Sequence, residues 1–374
     1  MTADVYRNYR VHGIPAGLDK YQAADLVKRA LCTGNHVEAC VQSLAPDLTR
    51  PREMVATLNF SEIPPALCVA HTGNEWPPFR VSLEQCVESD ALLVFDTHFT
   101  GFTPLYCPPE ADWQLDLVAL SGLNGHAFGS FKGKKKSYMW LRDDLPRDLP
   151  EARILLYGYD TRLQDSASFQ SILDLGKNFL RALLLATMES SKTMLVMSHS
   201  LGGIVAKEAI NRMAGSPFEA EKRLLKQLKA LYFFGVPSHG MDIESLVPMV
   251  GDQPNRGFLH TLETNSPVLR EQATTFLRII TRQRCKIVDF YETKVSQTAQ
   301  QDADGKWAMT GPPRVLVSPA SAIHVIDEPH HHTHAVDRSH SDLVKFTSKY
   351  DDLYTTLLDH FREALNTEGT FHKT

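Results

Sequence analysis

Residues 195–208 read Leu-Val-Met-Ser-His-Ser-Leu-Gly-Gly-Ile-Val-Ala-Lys-Glu, and this stretch decides the fold. The apolar residues 193–197 predict a strand, and residues 201–213 predict a helix directly after it. A serine in a tight turn of small residues between a strand and a helix is typical of a nucleophile elbow, which holds the hydroxyl above a sheet edge. We therefore predict that Ser200 is a nucleophile. Ser198 stands where the usual Gly-x-Ser-x-Gly pattern has its first glycine.

The composition limits the classes of protein to which the chain can belong. The chain has 374 residues, 43% of them hydrophobic and 22% charged, which predicts a globular protein of about two domains. The net charge of −5 gives no reason to expect nucleic-acid binding. Six irregularly spaced cysteines are typical of a reduced, intracellular protein. The polar first ten residues do not resemble a secretory signal, and no apolar run approaches the ~20 residues that cross a bilayer. We expect an intracellular protein, cytoplasmic or peripheral to an internal membrane.

Prolines cluster in residues 103–112 and divide the chain. The preceding part follows the order β-α-β-β-α-β, which predicts a small ferredoxin-like or RNA-recognition-like α+β domain over residues 1–110. Its predicted elements are strands at 9–14, 37–44, 53–60 and 91–95 and helices at 21–31 and about 80–88. The base-stacking aromatic pattern of RNA-recognition domains is missing, so we predict a structural or partner-binding role, with a protein as the partner.

Strands and helices alternate over residues 111–366, ahead of a short tail at 367–374. This alternation predicts a mostly parallel sheet with helices on both faces. The predicted strands are 115–120, 153–157, 192–197, 229–234, 286–290 and 314–317, and the helices are 168–188, 201–213 and about 352–364. Residues 238–284 form an insertion rich in helix formers, which we expect to cap the active site.

A serine nucleophile needs a base and an acid, and in this fold the chain order is nucleophile, acid, histidine. Glu292 ends a predicted strand and is the preferred acid, and Asp289 within the same strand is the weaker choice. His340 lies on the loop before the last helical region and is the preferred base. The other histidines in this region are His324, His330, His331, His332 and His334. The run 329–334 could bind zinc, but no further ligand spacing completes a site. A solvated loop is therefore the preferred interpretation, and we predict no metal or cofactor.

An acyl-transfer enzyme also needs two N–H donors for the oxyanion. Leu201, directly after Ser200, supplies one. Leu123 in the loop Ser-Gly-Leu-Asn-Gly-His at 121–126 is the predicted second, because Gly122 and Gly125 let the backbone approach the substrate. The basic run 132–136 beyond this loop could hold an anionic head group or touch a membrane surface, although a solvated loop is the more usual role of such a run.

Several ordered motifs together resemble the α/β-hydrolases related to GPI inositol-deacylase and to the lipid-remodelling, serine active site-containing proteins. The resemblance runs from about residue 115 to 365. Its motifs are Ser-Gly-Leu-Asn-Gly-His at 121–126, Trp-Leu-Arg-Asp-Asp-Leu-Pro at 140–146, Ala-Arg-Ile-Leu-Leu-Tyr-Gly-Tyr-Asp at 152–160, Ser-His-Ser-Leu-Gly-Gly at 198–203, Phe-Phe-Gly-Val-Pro-Ser-His-Gly at 233–240, Phe-Tyr-Glu-Thr at 290–293 and His-Ser-Asp-Leu-Val-Lys-Phe at 340–346. The resemblance implies a Ser200, Glu292 and His340 triad and a lipid-type ester substrate. It also implies that such a domain can be the effector part of a larger fungal receptor, although this sequence has no P-loop.

Two departures from the family pattern leave an alternative open. Ser121 replaces a histidine that helps to hold the oxyanion loop in related enzymes, and Ser198 replaces the glycine of the elbow. Neither departure removes a predicted triad residue or oxyanion donor. A serine hydrolase is therefore the leading prediction. The alternative is a weakly active or inactive hydrolase-fold module that binds a partner or signals.

Overall fold

A computed structural model describes residues 7–34, 36–68, 74–83, 90–133, 137–188, 190–325 and 330–366. The first unit is a five-stranded antiparallel sheet in the order β2-β3-β1-β5-β4. Its elements are β1 (Tyr9–Pro15), α1 (Lys20–Ala30), β2 (Ala39–Pro46), β3 (Glu53–Phe60), α2 (Pro65–Cys68), β4 (Phe79–Ser82) and β5 (Asp90–Asp96). The prediction of a helix over residues 80–88 is wrong at its start, because Val81 and its neighbours pair with β5 along the sheet edge. Residues 84–89 lie outside the described part.

A seven-stranded sheet forms the second unit, in the order β14-β11-β10-β9-β7-β8-β6. Its strands are β6 (Gly101–Tyr106), β7 (Leu115–Leu120), β8 (Ala152–Gly158), β9 (Thr193–His199), β10 (Leu228–Phe234), β11 (Lys286–Glu292) and β14 (His331–Val336). Every pair is parallel except β6 with β8. A mostly parallel sheet with helices on both faces, in which a central strand leads through a tight turn into a helix, is an α/β-hydrolase fold. Because β6 belongs to this sheet, the second unit begins before the predicted division at residue 110.

Helices cover both faces of this sheet. The helices are α3 (Trp140–Asp143), α4 (Leu145–Asp148), α5 (Ile172–Ala186), α6 (Leu201–Gly215), α7 (Glu219–Gln227), α8 (Val247–Val250), α9 (Arg256–His260), α10 (Pro267–Gln283), α11 (Pro319–Ala322) and α12 (Asp352–Asn366). The apolar core on one face includes side chains of α5, α6, α7 and α10, and the core on the other face includes those of α3, α4 and α12. The central strands, such as β7 and β8, are buried from both sides, which explains their largely apolar sequences.

Two predictions for the C-terminal region are wrong. Residues 315–317, predicted as part of a strand, form a loop after β13 (Trp307–Arg314), and within the described ranges β13 pairs only with β12 (Ser296–Gln301). The N–H of Val317 donates to the Glu292 carboxylate at 3.1 Å instead of to a strand. The histidine run, predicted as a solvated loop, enters the edge strand β14, because it pairs with β11.

Two findings bear on membranes. No helix in the described ranges is long and apolar enough to cross a bilayer. Of the basic run 132–136, only residues 132 and 133 fall in those ranges, so its predicted contact with a membrane surface or anionic head group lies outside the described residues.

Candidate active site

Ser200 lies at the junction between β9, which ends at His199, and α6, which begins at Leu201. Its backbone has φ 51° and ψ −124°, a conformation that costs a non-glycine residue energy and persists only where the surrounding structure enforces it. Its N–H donates to the carbonyl of Phe234 at 2.9 Å. In the described part of the chain its hydroxyl has no hydrogen-bond partner. The residue with the strained backbone is therefore also one whose hydroxyl is unengaged.

Glu292 and His340 form a buried pair at the same end of the sheet. The Nδ1 atom of His340 lies 3.1 Å and 3.2 Å from the two carboxylate oxygens of Glu292. Glu292 is the last residue of β11, and His340 begins the turn that follows β14. The N–H of His340 also donates to Ser296 Oγ at 3.1 Å, which holds the backbone of the turn. An ionised carboxylate at Nδ1 fixes the tautomer in which Nε2 is free to accept a proton.

Short distances separate this pair from the turn at Ser200. A Cβ on Gly235, the residue after Phe234, would lie 2.9 Å from His340 Nδ1 and 3.0 Å from Glu292 Oε2, so only glycine fits there. The Nε2 atom of His199 donates to the carbonyl of His340 at 2.9 Å, and the two rings lie 4.9 Å apart. Burial, and then the neighbouring His340, lowers the pKa of His199 to about 3, so its ring is neutral at physiological pH.

The loop after β7 packs directly against the turn at Ser200. A Cβ on Gly122 would lie 2.8 Å from the Ser200 Cβ, so a side chain at position 122 would collide with the serine. The Tyr159 hydroxyl donates to the Ser121 carbonyl at 2.8 Å and holds this loop from the side. The N–H groups of Leu123 and Leu201 make no hydrogen bond within the described ranges. Two backbone donors near Ser200 are therefore free.

Asp289 contacts different histidines from Glu292. Its carboxylate accepts hydrogen bonds from the N–H of His324 at 2.8 Å and from His324 Nδ1 and His331 Nε2, both at 2.9 Å. Burial alone would raise the pKa of Asp289, but the neighbouring His324 and these hydrogen bonds lower it to about 2. The structure thus pairs His340 with Glu292 and Asp289 with His324.

Lys207 extends this second cluster and was not singled out from the sequence. Its Nζ donates to Ser238 Oγ at 2.5 Å, and Ser238 Oγ lies 3.3 Å from His324 Nε2. The lysine is fully buried, and burial lowers its pKa to about 7. The cluster joins three elements, namely α6, β11 and the loop that follows β10. A polar residue inside the apolar pattern of α6 is the signal that could have revealed it.

The remaining histidines of the run lie at the sheet edge. His334 Nε2 is 2.9 Å from His360 Nε2 on α12, and Lys286 Nζ is 3.2 Å from His360 Nδ1. Among the residues that the structure describes, no group of three or more histidine, cysteine or acidic side chains could hold a metal ion.

Comparison with known proteins finds partial relatives, and no family model matches the chain. Protein SERAC1 of Danio rerio is 26% identical over 217 residues, which cover 50% of this chain and 32% of that protein. Protein SERAC1 of Mus musculus is 23% identical over 221 residues, with the same two shares. The chain therefore aligns with about a third of the length of these relatives. This similarity agrees with the predicted resemblance to the serine active site-containing proteins, and the relation to GPI inositol-deacylase stays a prediction.

Solved structures with a similar fold include two lipolytic enzymes. The mature form of Bacillus licheniformis lipase BlEst2 has a TM-score of 0.43 and 12% identity, covering 69% of this chain and 97% of that chain. Phospholipase PlaB from Legionella pneumophila, in complex with thio-NAD, has a TM-score of 0.36 and 14% identity, covering 48% of this chain and 38% of that chain.

Proposed function

We propose that the chain is a serine hydrolase that cleaves or transfers the acyl group of a lipid-type ester. The observation that carries this proposal is the strained Ser200, whose hydroxyl is unengaged, at the end of the sheet that also holds the buried His340–Glu292 pair. Strained backbone at a strand-to-helix turn is how this fold exposes a nucleophile. An orienting carboxylate on a histidine is what a general base for that nucleophile requires.

The proposed reaction has two halves. Ser200 Oγ attacks the acyl carbonyl while His340 Nε2 takes the hydroxyl proton, and Glu292 stabilises the imidazolium that forms. The tetrahedral intermediate collapses to an acyl-enzyme as His340 returns the proton to the leaving alcohol. Water or a second alcohol then attacks the acyl-enzyme, again with His340 as base, and Ser200 is regenerated.

The N–H groups of Leu201 and Leu123 are the proposed oxyanion donors. Both are free to donate, and the contact between Gly122 and Ser200 supports a position beside the reacting carbonyl. Tyr159 holds the carbonyl of Ser121 at 2.8 Å, which gives the loop a support that does not depend on the histidine of the family pattern. We therefore propose that the site is active despite Ser121.

The proposal of a lipid-type ester follows the resemblance of the chain's motifs to those of lipid-remodelling hydrolases. We propose an intracellular location for the protein, in keeping with its free cysteine thiols Cys32, Cys40, Cys68, Cys107 and Cys285.

Labelling with a fluorophosphonate, read by intact mass, tests the proposal. Wild type should gain one adduct, and Ser200→Ala should gain none and lose turnover of ester substrates by about 10⁴-fold or more. Ser198→Ala is the matched control, since Ser198 is a buried serine two residues away whose hydroxyl has no hydrogen-bond partner in the described part. It should label like wild type. An adduct on Ser200→Ala, or none on folded wild type, would contradict the proposal and favour the binding-module alternative.

A further inference from the structure

The chain between Glu292 and His340 leaves the seven-stranded sheet and returns to this pair at two points. At the first point, Ser296 Oγ accepts the N–H of His340 at 3.1 Å. At the second point, the N–H of Val317 donates to Glu292 Oε1 at 3.1 Å. The β12–β13 hairpin lies between the two contacts. One end of this excursion therefore holds the backbone of the proposed base, and the other holds the carboxylate of the proposed acid.

The register of the sheet places Ser296 beside His340. Glu292 lies opposite Val336 in the parallel pair of β11 with β14, and Ser296 stands 44 residues before His340, which is the same offset. The two segments thus keep the register of their strands beyond the ends of those strands. The backbone position of His340 follows from this continuation.

Val317 and His340 approach the same oxygen atom of Glu292. The Val317 nitrogen and His340 Nδ1 both lie 3.1 Å from Oε1. Glu292 is 2% exposed and Val317 is fully buried, so the contact between them lies inside the protein. A carboxylate that accepts from a second donor of fixed position is held in one orientation, which in turn fixes the direction of its bond to the ring.

The peptide group that carries the Val317 N–H is attached on its other side to the insertion at residues 238–284. The carbonyl of Leu316 and the N–H of Val317 belong to one planar, rigid peptide group. That carbonyl accepts the N–H of Asp242, a residue of the insertion, at 2.9 Å. A single rigid group therefore connects the insertion with Glu292.

Further bonds hold the insertion at this point. The N–H of Met241 donates at 2.9 Å to the carbonyl of Leu262, two residues after α9. Arg314 Nη1 lies 3.2 Å from Asp242 Oδ2 and 2.6 Å from Glu244 Oε2. Because the side chains of Arg314 and Glu244 are exposed, these ion pairs contribute little energy, and the backbone bonds are the main attachment.

We propose that the peptide group between Leu316 and Val317 positions Glu292 and couples the acid–base pair to the insertion. This inference rests on the proposed function, since it takes Glu292 as the acid that orients His340. When the insertion moves away from residues 315–317, the peptide group loses the bond that holds its carbonyl. Its N–H then no longer keeps a fixed direction toward the carboxylate. The orientation of His340 therefore depends on where the insertion lies.

Replacing Val317 with its α-hydroxy acid tests the donor directly. This change keeps the valine side chain but exchanges the backbone N–H for an ester oxygen, so the bond to Glu292 is lost. We expect the rate of fluorophosphonate labelling to fall about tenfold, as for loss of one buried hydrogen bond. The downfield proton magnetic resonance of the His340 Nδ1–H should also shift, because this proton lies between the ring and the carboxylate.

The same replacement at Val37 is the matched control. This valine of the first unit is 2% exposed, and its N–H donates to the carbonyl of Gly34 at 3.1 Å. Its α-hydroxy acid removes a similar bond far from Glu292 in the sequence and in a different sheet unit. The labelling rate and the His340 resonance should both stay as in wild type.

Two proteins altered at position 242 test the coupling to the insertion. Asp242→Ala and the α-hydroxy analogue of Asp242→Ala differ only in the N–H that the Leu316 carbonyl accepts. The analogue should label about threefold more slowly than Asp242→Ala, because it loses an indirect support of Glu292 rather than the donor itself. It should also shift the His340 resonance in the same direction as the replacement at Val317.

The outcomes separate this inference from the proposed function. Absence of an adduct on wild type overturns the proposed function, and the resonance still tests the contact between Val317 and Glu292. An adduct on wild type, together with an unchanged rate and resonance after the replacement at Val317, overturns the positioning role. A shifted resonance after that replacement, with identical rates and spectra for the two proteins altered at position 242, overturns the coupling to the insertion.

Discussion

His199 joins the two halves of the candidate site through a single side chain. It precedes Ser200 in the chain, and its Nε2 donates to the carbonyl of His340, 141 residues later. Because its lowered pKa keeps the ring neutral, the bond does not bring a second charge next to the proposed base. We therefore propose that His199 positions His340.

Replacing His199 should slow the proposed chemistry without unfolding the chain. His199→Phe keeps a ring but loses the donor, and we expect the rate of fluorophosphonate labelling to fall about tenfold, as for loss of one buried hydrogen bond. His199→Gln keeps an N–H donor and should recover part of the rate. The midpoint of the pH–rate profile should also shift in His199→Phe, because that profile reports the ionisation of the base.

Tyr232→Phe is the control for this prediction. The Tyr232 hydroxyl is buried in the same sheet and donates to the backbone carbonyl of His360 at 3.0 Å, so its loss removes a similar bond away from the elbow. The variant should label at the wild-type rate with an unchanged pH profile. Equal rates and profiles for His199→Phe and wild type would show that the contact does not position His340.

For single residues, the sequence was enough to predict which ones belong to the candidate site, but not which contacts they make. The chain order of nucleophile, acid and histidine predicted Ser200 and His340 as the first and last members. The position of Glu292 at the end of its predicted strand then favoured it over Asp289, and the 3.1 Å contact agrees with that choice. The roles of the three residues stay predictions. His199 could not be found in this way, because it contacts a backbone carbonyl that only the folded chain brings near.

Lys207 gives α6 a buried amine that links it to the neighbouring elements. It reaches Ser238 on the loop after β10, and through His324 the cluster reaches Asp289 on β11. Burial lowers the pKa of Lys207 from 10.5 to about 7 in the folded chain. Between these two pH values the unfolded chain binds more protons than the folded chain. The free energy of unfolding therefore increases with pH across this window.

Urea denaturation between pH 7 and 10 should detect this dependence. Wild type should gain up to about 1 kcal/mol in the free energy of unfolding per pH unit, and Lys207→Met should lose this slope. Lys226→Met changes an exposed lysine of α7 and should keep it. The comparison uses slopes, because loss of the Ser238 contact shifts the whole curve. An unchanged slope in Lys207→Met would mean that the folded amine is protonated as in water.

Elements of the sheet centre were easier to predict than those of its edges. Central strands such as β9 and β10 are mostly apolar, since helices cover both of their faces. The edge strands β6 and β14 contain Pro104 and the histidine run, which match a turn or a solvated loop as well as a strand. Proline is compatible with an edge strand because its missing N–H faces no neighbour. Only the pairing partners distinguish these alternatives, and the partners lie far away in the sequence.

Arg10 connects the two sheets of the molecule. It lies on β1 of the first sheet, where its Nε contacts Asp96 at 2.7 Å. Its other nitrogens donate to the carbonyl of Thr100 at 2.9 Å and, on β6 of the second sheet, to Thr103 Oγ1 at 2.8 Å. Both Arg10 and Asp96 are buried, with 3% and 2% exposure. Removing one partner of a buried pair leaves the other charge without compensation.

Arg10→Met should therefore weaken the first sheet more than the second. We expect the free energy of unfolding to fall by roughly 3 kcal/mol, because the Asp96 carboxylate stays buried without its cation. In hydrogen exchange, amides of β1, β3 and β5 should lose protection while those of β9 and β10 keep it, since the latter make no contact with Arg10. Arg80→Met removes an exposed pair with Asp90 and should leave both readouts unchanged. A uniform loss of protection in Arg10→Met would instead show that the two sheets unfold as one cooperative unit.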